Sequence, residues 1–221
     1  MKTKTAILLG ATGLTGNLLL QQLLKDDDFQ KIILFSRSSV KLQHSKLEAH
    51  LIDLFQLENY KDQFHADVVF CCVGTTQKKT PDKETYRKVD FGIPVTAAKL
   101  AKQNNIPKMI VVSAIGADKN SRFFYNKTKG EMEEAILAEK ISETYILQPS
   151  LIDGSREESR PFELAWKKVM RLANFIMIGP LKKYRSIQAE TIASAMQILS
   201  KRNYLKSIIE SEEIKEIVSR N

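Results

Sequence analysis

The sequence predicts an α/β fold, a doubly wound parallel sheet, and three observations carry that expectation. Short apolar runs recur at Ala6 to Leu9, Ile32 to Phe35, His50 to Ile52, Val68 to Val73, Met109 to Val112 and Tyr145 to Leu147, the length of strands buried on both faces. Helical patterns separate several of them, and such alternation builds parallel sheets through right-handed crossovers. Directly after the first run stands a glycine-rich turn, Gly10-Ala-Thr-Gly-Leu-Thr-Gly16, in the strand–turn–helix order of a dinucleotide fingerprint.

Each glycine of that turn has a physical task. Gly10 takes the backbone angles of a tight turn at the strand end. Gly13 leaves room for a pyrophosphate beside the main chain, and Gly16 lets the following helix sit close on its strand. The helix from Asn17 to Leu24 presents free N–H groups and a positive dipole end. The sheet is therefore expected to be Rossmann-type, with Gly10, Thr12, Gly13, Leu14, Thr15 and Gly16 holding a dinucleotide. No Gly-Lys-Ser/Thr follows, which excludes an ATPase phosphate loop.

Further along, Phe91, Val95, Ala98 and Ala101 share one helical face that ends at Asn104-Asn105, and Met132, Ala135 and Ile136 mark a helix beginning near Phe124 or Tyr125. The link from Phe35 to His50 is too short for a long helix. After Pro149 the pattern changes. Residues 150–185 hold Pro161, Pro180, Gly154, Gly179 and the single Trp166, with a helix expected from Glu163 to Ala173. Ligands of doubly wound sheets bind beyond the carboxyl ends of the strands, so this stretch is the candidate substrate-covering segment. An amphipathic helix from Ile187 to Leu199 and a last strand from Tyr204 to Ile209 complete one domain, residues 1–221, without repeat or linker.

Composition narrows the function. The net charge is +8, but the lysines are dispersed and no basic stripe alternates with aromatics, so nucleic acid is not the expected partner. No run is long and apolar enough for a membrane span. Three histidines and two cysteines show no metal-ligand spacing, and no metal is expected. Cys71 and Cys72 read as reduced core residues. With no separate signal peptide before the first strand, the expectation is a cytoplasmic protein, monomer or homodimer.

An NAD-preferring site places a carboxylate about 20 residues past the glycines. Here Leu34-Phe35-Ser36-Arg37-Ser38 stands instead, and Arg37 with Ser36 suits a ribose 2′-phosphate. NADP(H) is expected over NAD(H). At the end of the fourth run, Cys72-Val73-Gly74 brings backbone close to the cofactor.

Ser113 closes the fifth run, and Tyr125 and Lys129 follow as a Tyr-x-x-x-Lys pair on one helical face. A carbonyl reductase needs an acid that protonates the substrate oxygen as hydride arrives. Tyr125 fits that role, with Lys129 and the oxidised nicotinamide together drawing the phenol toward working pH. Ser113 holds the substrate oxygen, and Lys129 also binds the nicotinamide ribose.

Together these motifs resemble the atypical short-chain dehydrogenase/reductases, and most of all the Tat-interacting oxidoreductase family. Also carrying the likeness are Phe70-Cys-Cys-Val-Gly-Thr-Thr76, Ser113-Ala-Ile-Gly-Ala-Asp118, Lys129-Gly130-Glu131 and Arg156-Glu-Glu-Ser-Arg-Pro161. The resemblance implies that Asp53 bonds the adenine, with a loop-capping aspartate as a close second reading. It also adds Leu54 and Pro149 to the cofactor set. Many short-chain enzymes carry an asparagine that completes a proton relay; the comparable position here is Asp90, and no fourth relay member is assigned. Two further readings stay open: an NADP(H)-binding redox sensor with little catalysis, and a nucleotide-sugar epimerase or dehydratase, which usually has a longer C-terminal lobe.

Overall fold

A computed structural model of the chain describes residues 3–153 and 185–220. The Glu163 to Ala173 helix, Trp166, the Arg156 to Arg160 charge run and most of the substrate-covering segment lie outside the described residues.

The strands are β1 (Lys4–Leu9), β2 (Phe29–Ser36), β3 (Leu47–Leu51), β4 (Val68–Cys71), β5 (Lys108–Val112), β6 (Glu143–Gln148), β7 (Ile152–Asp153), β8 (Ile187–Gln188) and β9 (Ile208–Glu210). Seven of them form one sheet in the order β3-β2-β1-β4-β5-β6-β9, every pair parallel. This is the doubly wound, Rossmann-type order the sequence predicts. β7 and β8 pair separately as a short parallel ribbon.

Both faces of the sheet are covered. Ala6 and Leu8 point into a core shared with α1 (Leu14–Lys25) and the Ala189–Lys201 helix, while Ile7 and Leu9 point into a second core with α3 (Ile93–Gln103) and α4 (Phe124–Ala138). Two-sided burial explains why the strands read as continuous apolar runs rather than alternating ones.

Several features differ from the sequence reading: Ile187 and Gln188, expected to open a helix, form β8, and the last strand covers only Ile208–Glu210. β3 begins at Leu47, ahead of its apolar run, because it is an edge strand whose residues are largely half-buried or exposed. The Ser211–Ser219 helix was not expected; a capping box of Glu210 and Glu213 starts it. α2 (Lys83–Arg87) leads into α3 through a π-helical turn, Lys88–Gly92. Pro94 gives a reason: it cannot donate to the Asp90 carbonyl, and its ring crowds that oxygen. The chain widens there by one residue, the Ile93 N–H reaching back to Lys88, and Asp90 ends up buried.

Candidate functional site

The glycine turn leaves β1 with Gly10 at φ +85°, a conformation glycine adopts at no steric cost. A Cβ on Gly10 would lie 2.7 Å from the Cys72 carbonyl carbon, and one on Gly16 would lie 2.1 Å from the Gly10 carbonyl oxygen. Turn, helix and β4 end are therefore in backbone contact. Gly13 precedes α1 with no side-chain cap, and no acidic residue occupies the first turn. The first helical hydrogen bond runs from the Asn17 N–H to the Gly13 carbonyl, 2.9 Å, so the amides of Leu14, Thr15 and Gly16 lack helical partners. A backbone cradle at the positive end of a helix suits a diphosphate, and Thr12 is exposed on its rim. The residues present fit a dinucleotide.

At the next strand end, the Ser36 hydroxyl is buried and donates to the Ser38 carbonyl, 2.8 Å; it shapes the turn that presents Arg37. Arg37 is exposed. Asp53 caps the 3-10 segment Leu54–Gln63 by accepting from the Phe55 N–H at 3.0 Å, while Leu54 is buried in the core. Cys72 and Val73 are half-buried, the Cys72 thiol lying 3.7 Å from the Met196 sulfur. Burial pushes the neighbouring Cys71 thiol up to about 11, only partly offset by a bond from the Val73 backbone. Both cysteines are free.

The catalytic candidates gather past β4, β5 and β6. Gly74 faces a buried ion pair: a Cβ there would stand 3.5 Å from Asp90 Oδ1 and 3.8 Å from Lys129 Nζ. Lys129 Nζ lies 2.8 Å from Asp90 Oδ1, and the Thr75 N–H donates to Asp90 Oδ2 at 2.7 Å. Burial opposes the Lys129 charge, but Asp90, with Tyr125 adding, holds its pKa above the ordinary lysine value. The Ser113 hydroxyl is buried against Glu133 Oε1, and Gln148 Nε2 donates to both Glu133 oxygens at 3.0 and 2.9 Å. Pro149, buried, accepts from the Ile115 N–H and holds the loop that follows Ser113.

Tyr125 opens α4, one turn before Lys129, and remains 38% exposed. The Tyr86 ring meets Phe124 edge-to-face at 5.4 Å, fixing the start of that helix. Burial raises the Tyr125 phenol above its ordinary value, Lys129 opposes this, and Asp90 adds to it. Lys129 thus acts on the phenol in the expected direction. Without the nicotinamide charge beside it, burial and the Asp90 carboxylate outweigh that pull.

The structure thus brings the glycine turn against the β4 end, and Gly74 against Lys129. No hydrogen bond among the described residues joins Arg37 or Asp53 to the glycine turn, or Tyr125 to Ser113. Sequence reasoning left Asp90 unassigned and passed over Glu133 and Gln148. Glu133 had a signal: Tyr125, Lys129 and Glu133 recur every fourth residue, a titratable stripe on one helix face. Gln148 had none.

A family model described as NAD(P)H-binding matches residues 10–155. Protein HTATIP2 of Rattus norvegicus is 32% identical over 172 residues, covering 76% of this chain and 71% of that protein. Protein FMP52, mitochondrial, of Meyerozyma guilliermondii is 36% identical over 181 residues, covering 80% and 78%. Among solved structures, the Bordetella bronchiseptica enzyme WbmG in complex with NAD is similar at a TM-score of 0.71 and 11% identity, over 99% of this chain and 78% of that one; this likeness concerns the fold. The mitochondrial relatives, which include proteins of Candida albicans and Aspergillus niger, overturn the cytoplasmic expectation.

Proposed function

The chain belongs to the NAD(P)H-binding family, as an atypical short-chain dehydrogenase/reductase of the HTATIP2 type, and on that premise we propose that it reduces a small carbonyl compound with NADP(H). The observation that carries this reading is the α4 face: a half-exposed Tyr125 one turn ahead of a buried Lys129, which lies against the backbone opening at Gly74. When bound, the nicotinamide supplies the hydride. Gly10 to Gly16 hold the diphosphate, and Arg37 takes the 2′-phosphate of the adenosine ribose. Asp53 and Leu54 would hold the adenine, and Cys72 to Gly74 with Pro149 would hold the nicotinamide side. Lys129 bonds the nicotinamide ribose. Ser113 orients the substrate oxygen, and Tyr125 donates the proton to it. A phenol held above its ordinary value is protonated at neutral pH, the state that reduction requires.

Residues 150–185 are proposed as the substrate cover. Supporting this, the two ends of the segment are tied together where β6 ends: the Ser150 hydroxyl donates to the Arg185 carbonyl, and the Ile187 N–H donates to the Leu151 carbonyl at 3.0 Å.

The test is NADPH consumption against a panel of carbonyl compounds, with Tyr125→Phe in parallel. Consumption that disappears in the variant supports the reading. Turnover within a few-fold of the parent protein refutes it.

One observation favours a second reading, a redox sensor that binds NADP(H) with little turnover. Asp90 already neutralises Lys129, which weakens the activation of Tyr125. A sensor would change its oligomeric state or partner binding between NADPH and NADP+ without consuming either.

A further inference from the structure

We infer that Glu133 is a positioning residue of this site, its carboxyl group deciding whether the Ser113 hydroxyl is free to donate a hydrogen bond to a substrate oxygen. The inference rests on the reductase reading above. It begins with a network that the proposed chemistry leaves unused. Ser113, Glu133 and Gln148 are each more than nine-tenths buried and come from three elements: the end of β5, the third turn of α4 and the last residue of β6. The Gln148 amide donates to both carboxyl oxygens, which fixes the plane of the Glu133 group. Ser113 Oγ meets Oε1 directly.

A hydroxyl carries one proton. Beside an ionised Glu133, that proton is committed to the carboxylate, and Ser113 faces the substrate only as an acceptor. Beside a neutral Glu133, the carboxyl donates to Ser113 Oγ, and the Ser113 proton is free for a carbonyl oxygen. The first state suits an alcohol and the second a ketone or aldehyde. Neither Ser113 nor Glu133 gives up a proton in the reaction, since Tyr125 supplies the one transferred. Glu133 would thereby bias the direction of the reaction.

Burial favours the neutral form against what its neighbours do. From β5 and β6, Glu133 is faced by Ser113 and Gln148, both uncharged. On its own helix it is faced by Lys129, already paired with Asp90 of the π-turn. Burial holds the carboxyl above the ordinary glutamate value, with the Ser113 and Gln148 bonds and the Lys129 charge opposing.

The first experiment needs no substrate. In the NADPH-saturated protein labelled with 13C at glutamate carboxyls, the Glu133 resonance is assigned by its loss in Glu133→Gln. Should that variant not fold, the resonance most perturbed by Ser113→Ala serves instead. A midpoint above the exposed glutamates that rises further in Ser113→Ala, which removes a donor to the charged form, supports the inference. A midpoint among the exposed glutamates, unmoved by Ser113→Ala, overturns it. The second experiment uses any carbonyl compound the panel identifies. In the parent protein kcat/KM for reduction should fall about tenfold per pH unit above the Glu133 midpoint, as for one essential proton. Glu133→Gln, whose amide still donates to Ser113, should keep the low-pH rate and lose that limb. A retained limb refutes the positioning role even where Tyr125→Phe has abolished turnover, so failure here is distinct from failure of the reductase reading.

Discussion

The Lys129 ammonium and the Asp90 carboxylate form a 2.8 Å ion pair in which neither side chain is more than 5% exposed. Breaking such a pair strands the remaining charge, at about 3–5 kcal/mol. Asp90→Asn is therefore expected to lower unfolding stability by about that amount in urea titration. Because the Asp90 charge also raises the Tyr125 phenol, the same variant should lower the phenol pKa in ultraviolet titration. An unchanged phenol would separate Asp90 from the chemistry.

Tyr125→Phe should separate catalysis from folding. Loss of a positioned acid costs about 10²- to 10⁴-fold in rate. Tyr125 is 38% exposed and its hydroxyl bonds no described group, so thermal stability and NADPH affinity should remain near those of the parent. A variant that loses NADPH affinity but keeps its rate at saturating NADPH would place Tyr125 in cofactor binding alone.

Gly16→Ala weighs two opposed magnitudes. Alanine gains about 1 kcal/mol of helix propensity over glycine. Its Cβ, however, would stand 2.1 Å from the Gly10 carbonyl oxygen, and overpacking against backbone costs about 1–3 kcal/mol. The expected net effect is destabilisation together with loss of nucleotide binding. Gly74→Ala is the contrast, since its Cβ has room beside Asp90 at 3.5 Å. Stability should hold while NADPH affinity, measured by calorimetry, falls as the methyl fills the approach.

Arg37→Ala tests cofactor choice. An exposed arginine adds little to folding, whereas charge-assisted bonds to a phosphate contribute about 1.5–3 kcal/mol. NADPH affinity should drop about tenfold or more with NADH affinity unchanged. Equal losses for both would remove the preference for NADP(H).

Glu133 also predicts a pH dependence of stability. Its folded-state pKa is raised, so over the window from the ordinary glutamate value of about 4.3 up to the folded value the native state holds more protons than the unfolded one. By linkage, stability is full below that window and declines as pH rises through it. Glu133→Gln should flatten this segment of the stability profile, read from urea midpoints across pH.

Local sequence decided the parts of this protein that depend on local physics. The Gly10 to Gly16 turn announces itself because only glycine tolerates φ +85° at Gly10 or backbone contact at Gly16. The central strands announce themselves because burial on both faces demands continuous apolar runs. Tyr125 and Lys129 share a face because a helix repeats every 3.6 residues. The edge strand β3 was placed imperfectly, since one covered side requires fewer apolar residues. The relationships among the buried charges are of another kind. Asp90 reaches Lys129 across 39 positions of chain through a π-turn, and Glu133 meets Gln148 only because β6 lies beside β5. Whether a buried charge finds a partner, and so how it titrates, depends on groups distant in sequence and adjacent in space. Tertiary structure alone made that decision.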